Sequence, residues 1–259
     1  MSRAVELRDR LRRYYTTYYR DVLGIPDWSV LVQRREDEEQ QERGRLERLR
    51  GVLGGDAALR GRLLNVGCGT GGFNVVAEEA GAHPIGVDAD AEAIAICALK
   101  HDKGGGSFVR AAAERLPFPD AVFDVVYCFS AIEHVESVEE TVSEMVRVAR
   151  PGGQIYVHTP SAWSWYEGHY KLLWAPFLPA PVGRLYLRAR GRPSGYLATL
   201  RRLTPGALRR AFARAGVRDL RFHDDEPARE SVGPLRVPIG VYYRLTGAAP
   251  FIELVARKA

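Results

Sequence analysis

The chain has 259 residues, of which 46% are hydrophobic and 27% are charged, as is usual for one large globular domain or one domain with a cap. It carries 33 arginines against 4 lysines, and its formal net charge is +5. This composition excludes a disordered, collagen-like or disulfide-scaffold protein.

The sequence predicts neither a membrane span nor a secretory signal. No apolar run reaches the roughly 18–20 residues that span a bilayer. The N-terminal stretch MSRAVELRDRLRRYY has a charge every few positions, unlike a signal peptide. Cys68, Cys97 and Cys128 are odd in number and lack paired spacing, which favours free thiols over disulfides or a zinc site. We therefore expect a cytoplasmic protein.

The first 60 residues predict a helical cap in two pieces. Apolar and aromatic residues recur every three or four positions over residues 3–23, and a glycine and a proline at 24–26 end that helix. A second helix is predicted over 28–53. The tyrosines of the first helix are more typical of packing than of chemistry, and the charged run at 34–39 is interpreted as a solvated face.

Short apolar runs then alternate with helical stretches. The runs are LLNV at 63–66, HPIGVD at 83–88, SFVRA at 107–111, FDVVYCF at 123–129 and QIYVHT at 154–159. Helices are predicted at 72–80, 90–101 and 137–149. Continuous apolar strands separated by helices are typical of a parallel sheet covered on both faces, and right-handed crossovers make it doubly wound. The sequence therefore predicts an α/β fold.

Residues 161–203 interrupt this alternation and predict a lid. They contain three tryptophans and four prolines, and an aromatic, proline-punctuated insertion after a core strand is typical of a cover over a ligand cleft. A further helix from Thr204-Pro205 to Gly216 is predicted from its N-cap and its terminal glycine. Strands follow near 217–223 and at 251–258. The predicted parts are a cap (1–60), a core (61–160), the lid (161–203) and the C-terminal part of the core sheet (204–259).

A glycine-rich turn joins the first predicted strand to its helix. It reads Gly67-Cys68-Gly69-Thr70-Gly71-Gly72, and glycines let the backbone turn tightly and approach a ligand. The helix N-terminus that follows favours a negative or electron-rich group. Asp88 ends the second strand, where a carboxylate can accept both hydroxyls of a ribose. The glycine pattern alone also fits the dinucleotide fingerprint, so a nicotinamide oxidoreductase stays an alternative at this point.

Four motifs in order carry a more specific signal. They are LLNVGCGTGGFNVVAEEAG, GVDAD, AAERLPFPDAVFDVVYCFSAIEHV and VARPGGQIYV. Together they closely resemble the class I S-adenosylmethionine-dependent methyltransferases, nearest the small-molecule branch of ubiquinone and menaquinone biosynthesis. The resemblance covers residues 62–160. It implies a Rossmann-like, doubly wound, seven-stranded and mainly parallel sheet. It also implies S-adenosyl-L-methionine as the cofactor and S-adenosyl-L-homocysteine as its product.

The resemblance further implies a cofactor site. It assigns Gly67, Cys68, Gly69 and Gly71 to the methionine portion, Asp88 to the ribose, Ala89, Ala113 and Glu114 to the adenine, and Phe129 and Ser130 to the sulfonium end. Many relatives carry an Asp at the position of Ala112, where it binds the adenine amino group. Its absence predicts weaker adenine recognition, or a substitute role for Glu114.

Methyl transfer by direct displacement needs alignment, and a hydroxyl acceptor also needs a base. His134, just past the fourth strand, is the candidate base, and ordering of its loop is the alternative role. Glu133 would orient His134 or bind cofactor, and His158 is a second catalytic candidate.

The lid supplies candidate substrate contacts, which are Tyr166, His169, Tyr170 and Trp174. Some quinone methyltransferases have a divalent metal site in the loop after the fourth strand. They carry an acid where this chain has Ser130, so no metal is predicted.

The sequence thus predicts an enzyme that methylates a hydroxyl oxygen of a small molecule. Residues 168–218 contain Lys171 and ten arginines but no Asp or Glu. This basic segment is compatible with an anionic or lipid-linked acceptor or with a membrane surface, and Arg188, Arg190 and Arg192 are its candidate contacts. A purely solvated, arginine-rich surface is the plain alternative.

Other functions compete with this interpretation. An RNA or protein methyltransferase would use the same basic segment, but the chain has no recognised RNA-binding module, and no N-P-P-Y-type motif follows its fourth strand. A non-enzymatic partner subunit is disfavoured because the glycines, Asp88 and His134 are all present. The sequence predicts no oligomeric state.

Overall fold

A computed structural model describes residues 2–55, 59–100, 106–223 and 235–259. The end of the predicted helix 90–101 lies outside these residues. The strands are β1 (Arg62–Val66), β2 (His83–Asp88), β3 (Ser107–Arg110), β4 (Phe123–Phe129), β5 (Ala149–Pro160), β6 (Tyr166–Glu167), β7 (Leu172–Leu173), β8 (Asp219–His223) and β9 (Phe251–Arg257). The α-helices are α1 (Arg3–Thr16), α2 (Trp28–Glu36), α3 (Glu38–Leu53), α4 (Gly72–Glu79), α5 (Ala91–Leu99), α6 (Val138–Val148), α7 (Ala180–Ala189), α8 (Pro205–Arg214) and α9 (Arg236–Thr246).

The central sheet has seven strands in the order β3-β2-β1-β4-β5-β9-β8. The first five strands of this order pair in parallel, whereas β9 runs antiparallel to both β5 and β8. The predicted seven-stranded, mainly parallel and doubly wound α/β fold is therefore confirmed. Only two positions of β4 are not fully buried, which explains why this strand reads as an almost continuous apolar run.

The strand order reverses beside β1, which pairs with β2 on one side and with β4 on the other. A crevice opens outside the carboxyl ends of the strands at such a reversal, and ligands of open α/β sheets bind there. The glycine turn at 67–72 leaves β1 at this place, and Ser130 follows the end of β4. The fold thus brings segments that are distant in sequence to one edge.

The cap differs from its prediction in two ways. The first helix is α-helical only to Thr16 and continues as a wider π-helical turn over Thr17–Val22. The predicted single helix 28–53 is two helices, because Asp37 leaves the helical conformation with φ −123° and ψ 58°. This break turns α3, so that Glu38, taken for a solvated residue, is only 2% exposed.

Cap and lid share one hydrophobic cluster. Leu7, Leu11 and Tyr15 of α1 belong to the same cluster as Trp174 and Leu187 of the lid. Helix α7 packs closely here, because a Cβ at Gly183 would lie 2.8 Å from the Trp174 ring. The lid therefore rests on the N-terminal helices as well as on the sheet.

The C-terminal region contains α9, a helix that the sequence analysis did not predict. The last strand, β9, inserts between β5 and β8, and its buried Glu253 accepts a hydrogen bond from Tyr156 Oη at 2.8 Å. Arg48 of α3 forms an ion pair with the same carboxylate, which ties the cap to the sheet. Among the described residues, no helix has the length and apolarity needed to cross a membrane.

Candidate functional site

The glycine turn adopts a conformation that side chains disfavour. Gly67, Gly69 and Gly71 have φ values of +73°, +53° and +82°, in the left-handed region that glycine populates freely. A Cβ at Gly67 would also collide with the Cβ of Ala131. The backbone amides of Gly67 and Cys68 both donate to Val87 O, at 2.8 and 2.9 Å. The turn is therefore held firmly against β2.

Asp88 braces this turn. Its Oδ2 accepts a hydrogen bond from Gly69 N at 2.8 Å, and its Oδ1 accepts one from Asp90 N at 2.9 Å. Burial raises the pKa of Asp88, and the backbone hydrogen bonds oppose that rise. Asp88 therefore also has a structural role, because its carboxylate holds the glycine turn beside the ligand cleft.

A cleft of about 450 Å³ lies between the glycine turn and the loop after β4. The predicted cofactor residues that line it are Gly67, Gly69, Asp88, Ala89, Ala113, Glu114 and Ser130. Ala112 lines it as well. Glu114 Oε1 also accepts hydrogen bonds from the amides of Glu136 and Ser137, at 2.6 and 3.2 Å. It therefore orders the approach to α6 besides facing the cleft.

Three tyrosines close this cleft, and the sequence analysis missed their role. Tyr14 and Tyr18 of the cap and Tyr196 of the lid all line it. Tyr14 Oη donates to Asp90 Oδ2 at 3.0 Å, and the hydroxyls of Tyr18 and Tyr196 lie 3.0 Å apart. The four-residue spacing of Tyr14 and Tyr18 placed them on one helix face, but it did not show that the face meets a cleft.

A second, polar cavity of about 180 Å³ lies on the other side of the glycine turn. The predicted residues Cys68 and Phe129 line it, together with Arg35, Glu38, Glu42 and Arg45 of the cap. The charged run at 34–39 was therefore wrongly interpreted as only a solvated face. Gly71, the remaining predicted glycine, packs against Cys97 and Phe108, which a Cβ there would approach to 2.9–3.0 Å.

Glu38 connects the cap to the glycine turn. Its carboxylate accepts hydrogen bonds from Thr70 Oγ1 at 2.7 and 2.8 Å and from Tyr15 Oη at 3.0 Å. The ammonium of Lys100, which is fully buried, forms an ion pair with it. Burial opposes ionisation of Glu38, but Lys100 and Thr70 outweigh it and lower the pKa of this carboxyl.

The catalytic candidates Glu133 and His134 lie in a 3₁₀ turn, Ile132–His134, directly after β4. Glu133 is 2% exposed, and its Oε2 accepts a hydrogen bond from Thr159 Oγ1 at 3.0 Å. Its Oε1 lies 3.9 Å from His134 Nε2 and equally far from Nε2 of His169, a lid residue. The fold therefore brings both histidines to one carboxylate oxygen.

The pKa values of the two histidines are shifted in opposite directions. Burial, and then the neighbouring His169, lowers the pKa of His134 to about 4, so His134 is neutral near pH 7. For His169, burial is outweighed by Glu167, whose Oε1 lies 2.8 Å from Nδ1, and its pKa is raised. Burial raises the pKa of Glu133.

His158, the third catalytic candidate, lies in a stack of rings. It is parallel to Phe129 at 4.3 Å between centroids, with Phe251 at 5.0 Å. These rings line a third cavity, of about 350 Å³, which also reaches Ser130 and His134. His158 is thus held in a stack of rings at the edge of this cavity.

The predicted lid contacts lie in different places. Tyr166, His169 and Trp174 line a small pocket of about 50 Å³ beside Glu133, and His169 also lines the third cavity. Tyr170 is fully buried in the cluster shared by cap and lid. Of the four, His169 alone lies beside the predicted base.

In the described part of the chain, one group of side chains has the composition of a metal site. Glu133, His134 and His169 each offer a ligand atom, and these atoms lie within 4.8 Å of one another. The three thiols at Cys68, Cys97 and Cys128 are free and buried. The sequence analysis, which considered only the loop around Glu133, did not foresee that His169 joins it.

Comparisons with known proteins identify the core. Residues 64–157 match the family model described as a methyltransferase domain. Over these residues, which are less than half of the chain, the core is similar to a class I methyltransferase domain. S-adenosyl-L-methionine is the methyl donor of this class, and glycines without a Cβ, a large cleft and the Asp88 carboxylate fit such a group. The resemblance and the cofactor prediction are therefore confirmed for the methyltransferase domain.

Individual relatives show how far the likeness extends. An uncharacterized methyltransferase of Mycobacterium marinum is 33% identical over 141 residues, covering 54% of this chain and 55% of that protein. A ubiquinone biosynthesis O-methyltransferase of Aromatoleum aromaticum is 34% identical over 108 residues, covering 40% and 46%. The chain thus matches about half the length of these curated relatives.

Solved structures share the fold of the methyltransferase domain. A methyltransferase from Archaeoglobus fulgidus superposes with a TM-score of 0.59 at 20% identity, covering 85% of this chain and 94% of that one. That protein is an S-adenosylmethionine-dependent methyltransferase. The low identity means that the superposition concerns the fold alone.

Proposed function

We propose that the chain transfers a methyl group from S-adenosyl-L-methionine to a hydroxyl oxygen of a small-molecule acceptor, by direct displacement. The observation that carries this proposal is the meeting of two cavities. The 450 Å³ cleft and the 350 Å³ cavity share Tyr18, Ser130 and His134. Cofactor in the first and acceptor in the second would have their reacting ends at these residues.

The bound cofactor supplies a methyl group activated by a sulfonium. The protein's main contribution is then positioning, which is worth on the order of 7–11 kcal/mol in well-oriented reactions. In the proposed arrangement, the predicted cofactor residues hold the donor along the glycine turn. Asp88 accepts the ribose hydroxyls with the lone pairs that its two backbone hydrogen bonds leave free.

His134 is the proposed general base. Its ring is neutral near pH 7 because its pKa is about 4, so it can accept the proton of an acceptor hydroxyl. Glu133, at 3.9 Å, would stabilise the protonated ring and hold its orientation. His158 serves in this proposal as part of the cavity lining rather than as a base, because it stacks on Phe129 at 4.3 Å.

Oxygen as the accepting atom is supported by the names of relatives. The Aromatoleum aromaticum protein and a malonyl-[acyl-carrier protein] O-methyltransferase of Erwinia billingiae are both O-methyltransferases. The RNA or protein alternative gains no support from the basic segment, since several of its arginines are engaged within the fold. Arg201 and Arg202 donate to backbone carbonyls, Arg192 donates to Gly24 O, and Arg214 pairs with Glu139.

Peripheral membrane contact through α7 is a separate part of the proposal. Val182 and Leu185 are 49% and 67% exposed, and Arg184 and Arg188 belong to the same helix. Exposed apolar side chains flanked by arginines suit an anionic lipid surface. Co-sedimentation with vesicles containing anionic phospholipid should be lost in Leu185→Glu. Equal sedimentation of this variant and the wild type would refute the contact. A cytoplasmic location also stays a prediction.

Two measurements test the methyltransferase proposal. Calorimetry should show binding of S-adenosyl-L-homocysteine, and incubation of cell extract with methyl-labelled cofactor should produce a labelled small molecule that is absent from a control with Asp88→Asn protein. If neither cofactor nor product binds at millimolar concentration, the proposal is wrong. If the label enters only RNA or protein, the acceptor is a macromolecule and the proposed small-molecule acceptor is wrong.

A further inference from the structure

The cavity of about 350 Å³ between Ser130 and the lid differs from the cofactor cleft in its charge. Among the described residues, three cationic side chains line it, from Arg35, Arg45 and Lys171, and no carboxylate does. The rest of the lining is largely aromatic, including Tyr18, Tyr19, Phe129 and Phe251. Specificity in such pockets comes from a few placed polar groups on a mainly apolar lining.

Two of these cations form no ion pair with a described residue. Arg45 pairs with Glu42 and lies 4.2 Å above the Phe129 ring. Arg35, in contrast, donates from Nε to Tyr19 Oη at 3.1 Å. In the described ranges, its terminal nitrogens and the Lys171 ammonium have no ion pair within 4 Å.

The carboxylates nearest to these two cations are engaged elsewhere. Glu38 pairs with the buried Lys100, and Glu167 lies 2.8 Å from the imidazole of His169. Partial loss of hydration, and then the charge of Arg35, lowers the pKa of Lys171. Arg35 and Lys171 therefore face the same space as two like charges, an arrangement that an anion would stabilise.

The backbone of Lys171 is anchored in the lid. Its φ is +56°, a left-handed conformation that is unfavourable for a residue with a Cβ. The neighbouring Tyr170 is fully buried. The backbone of Lys171 is therefore held at the rim of the cavity, from which its exposed side chain lines the cavity.

A stack of rings contributes apolar surface to the cavity. Phe129 and His158 are parallel within 3°, at 4.3 Å, and Arg45 covers the ring of Phe129. Because these faces are occupied by one another and by Arg45, the rings contribute mainly their edges to the lining, beside the cationic groups.

We propose that the acceptor bears an acidic group, a carboxylate or a phosphate, which Arg35 and Lys171 bind. This inference rests on the proposed function, because it takes the 350 Å³ cavity as the acceptor site. The sequence suggested Arg188, Arg190 and Arg192 as the anion contacts, whereas this proposal assigns that role to residues that line the cavity. Arg192 in particular is engaged with Gly24 O.

The test compares two probes of the same shape. Protein saturated with S-adenosyl-L-homocysteine is titrated at low salt with 3-hydroxy-2-naphthoate and with its neutral amide, 3-hydroxy-2-naphthamide. We expect the acid to bind at least tenfold more tightly than the amide. In Lys171→Met this preference should fall at least fivefold, whereas affinity for the amide should stay within twofold. A second series with 2-naphthyl phosphate tells which acid is preferred, and preference for either supports the proposal.

Two control variants separate a specific site from general charge. Lys171→Arg keeps the charge and should keep the preference within about twofold. Arg188→Met removes one charge elsewhere on the lid and should leave the preference unchanged. The proposal is overturned if neither the carboxylate nor the phosphate probe binds more tightly than the neutral amide, if no probe binds, if Lys171→Met keeps the full preference, or if Arg188→Met lowers it as much.

Binding of S-adenosyl-L-homocysteine to the same protein, measured first, distinguishes the two levels of the argument. Failure to bind it contradicts the proposed function. Normal binding of S-adenosyl-L-homocysteine without preference for the acid probe contradicts this inference alone.

Discussion

Replacement of Asp88 by asparagine tests the centre of the site, because this carboxylate has two tasks. Its oxygens accept hydrogen bonds from Gly69 N and Asp90 N, at 2.8 and 2.9 Å. In Asp88→Asn, the amide nitrogen replaces one acceptor and faces a backbone N–H as a second donor. The variant should therefore lose about 1–2 kcal/mol of folding stability, which lowers Tm by roughly 2–8 °C in a chain of this size.

The effect on binding should be larger. Two proposed ribose hydrogen bonds to a charged acceptor are worth about 1.5–3 kcal/mol each, and the amide can replace one of them. The loss of one such bond, about 1.5–3 kcal/mol, corresponds to a Kd for S-adenosyl-L-homocysteine roughly 10- to 150-fold weaker. Calorimetry measures this Kd, and a thermal melt without ligand measures the stability separately.

Asp90→Asn is the matched control. It removes the same charge two residues away, while asparagine still suits the N-cap of α5, whose Glu92 and Ala93 amides bond to Asp90 Oδ1. Its Kd should change by less than about fivefold. The reasoning would be refuted if Asp88→Asn bound within fivefold of the wild type, or if both variants lost the same affinity.

Three further predictions concern the base, the metal and the buried ion pair. His134→Ala should lower turnover about 100-fold or more with Kd for S-adenosyl-L-homocysteine within a few-fold; unchanged turnover, or loss of this binding, would exclude the base role. By NMR, the His134 ring should titrate near pH 4, and the pKa of His169 should lie above its usual 6.5. The folding stability that His169 contributes when protonated is therefore complete below pH 6.5 and is lost as pH rises through its folded pKa. A midpoint of 6.5 for either ring would contradict the assignment. Dialysis against EDTA should leave turnover unchanged, whereas loss that a divalent cation restores would make Glu133 and both histidines metal ligands. Lys100→Met should lower the folding stability by about 3–5 kcal/mol, because it leaves Glu38 buried without its ion-pair partner. Combining Lys100→Met with Glu38→Gln should recover part of the lost Tm. No recovery would mean that packing, not charge, makes Lys100 necessary.

Local patterns in the sequence were sufficient to predict the strands and helices of the core. Each predicted core strand and helix rests on a period of apolar residues within about ten positions, and the observed elements agree to within a few residues except at β5. The glycine turn was also predictable, since three of its glycines need φ values that other residues disfavour. Asp88 followed from its place at the end of a strand.

The sequence by itself therefore determined the sheet, the glycine turn and the family of the core, because each is encoded by neighbours in the chain. Tertiary structure alone decided which distant residues share the site. The break at Asp37 buries Glu38 against Lys100, and the lid brings His169 to Glu133. Such contacts depend on how helices and loops pack across long sequence separations. The period of a helix reports that one face is buried, but it does not report what that face meets.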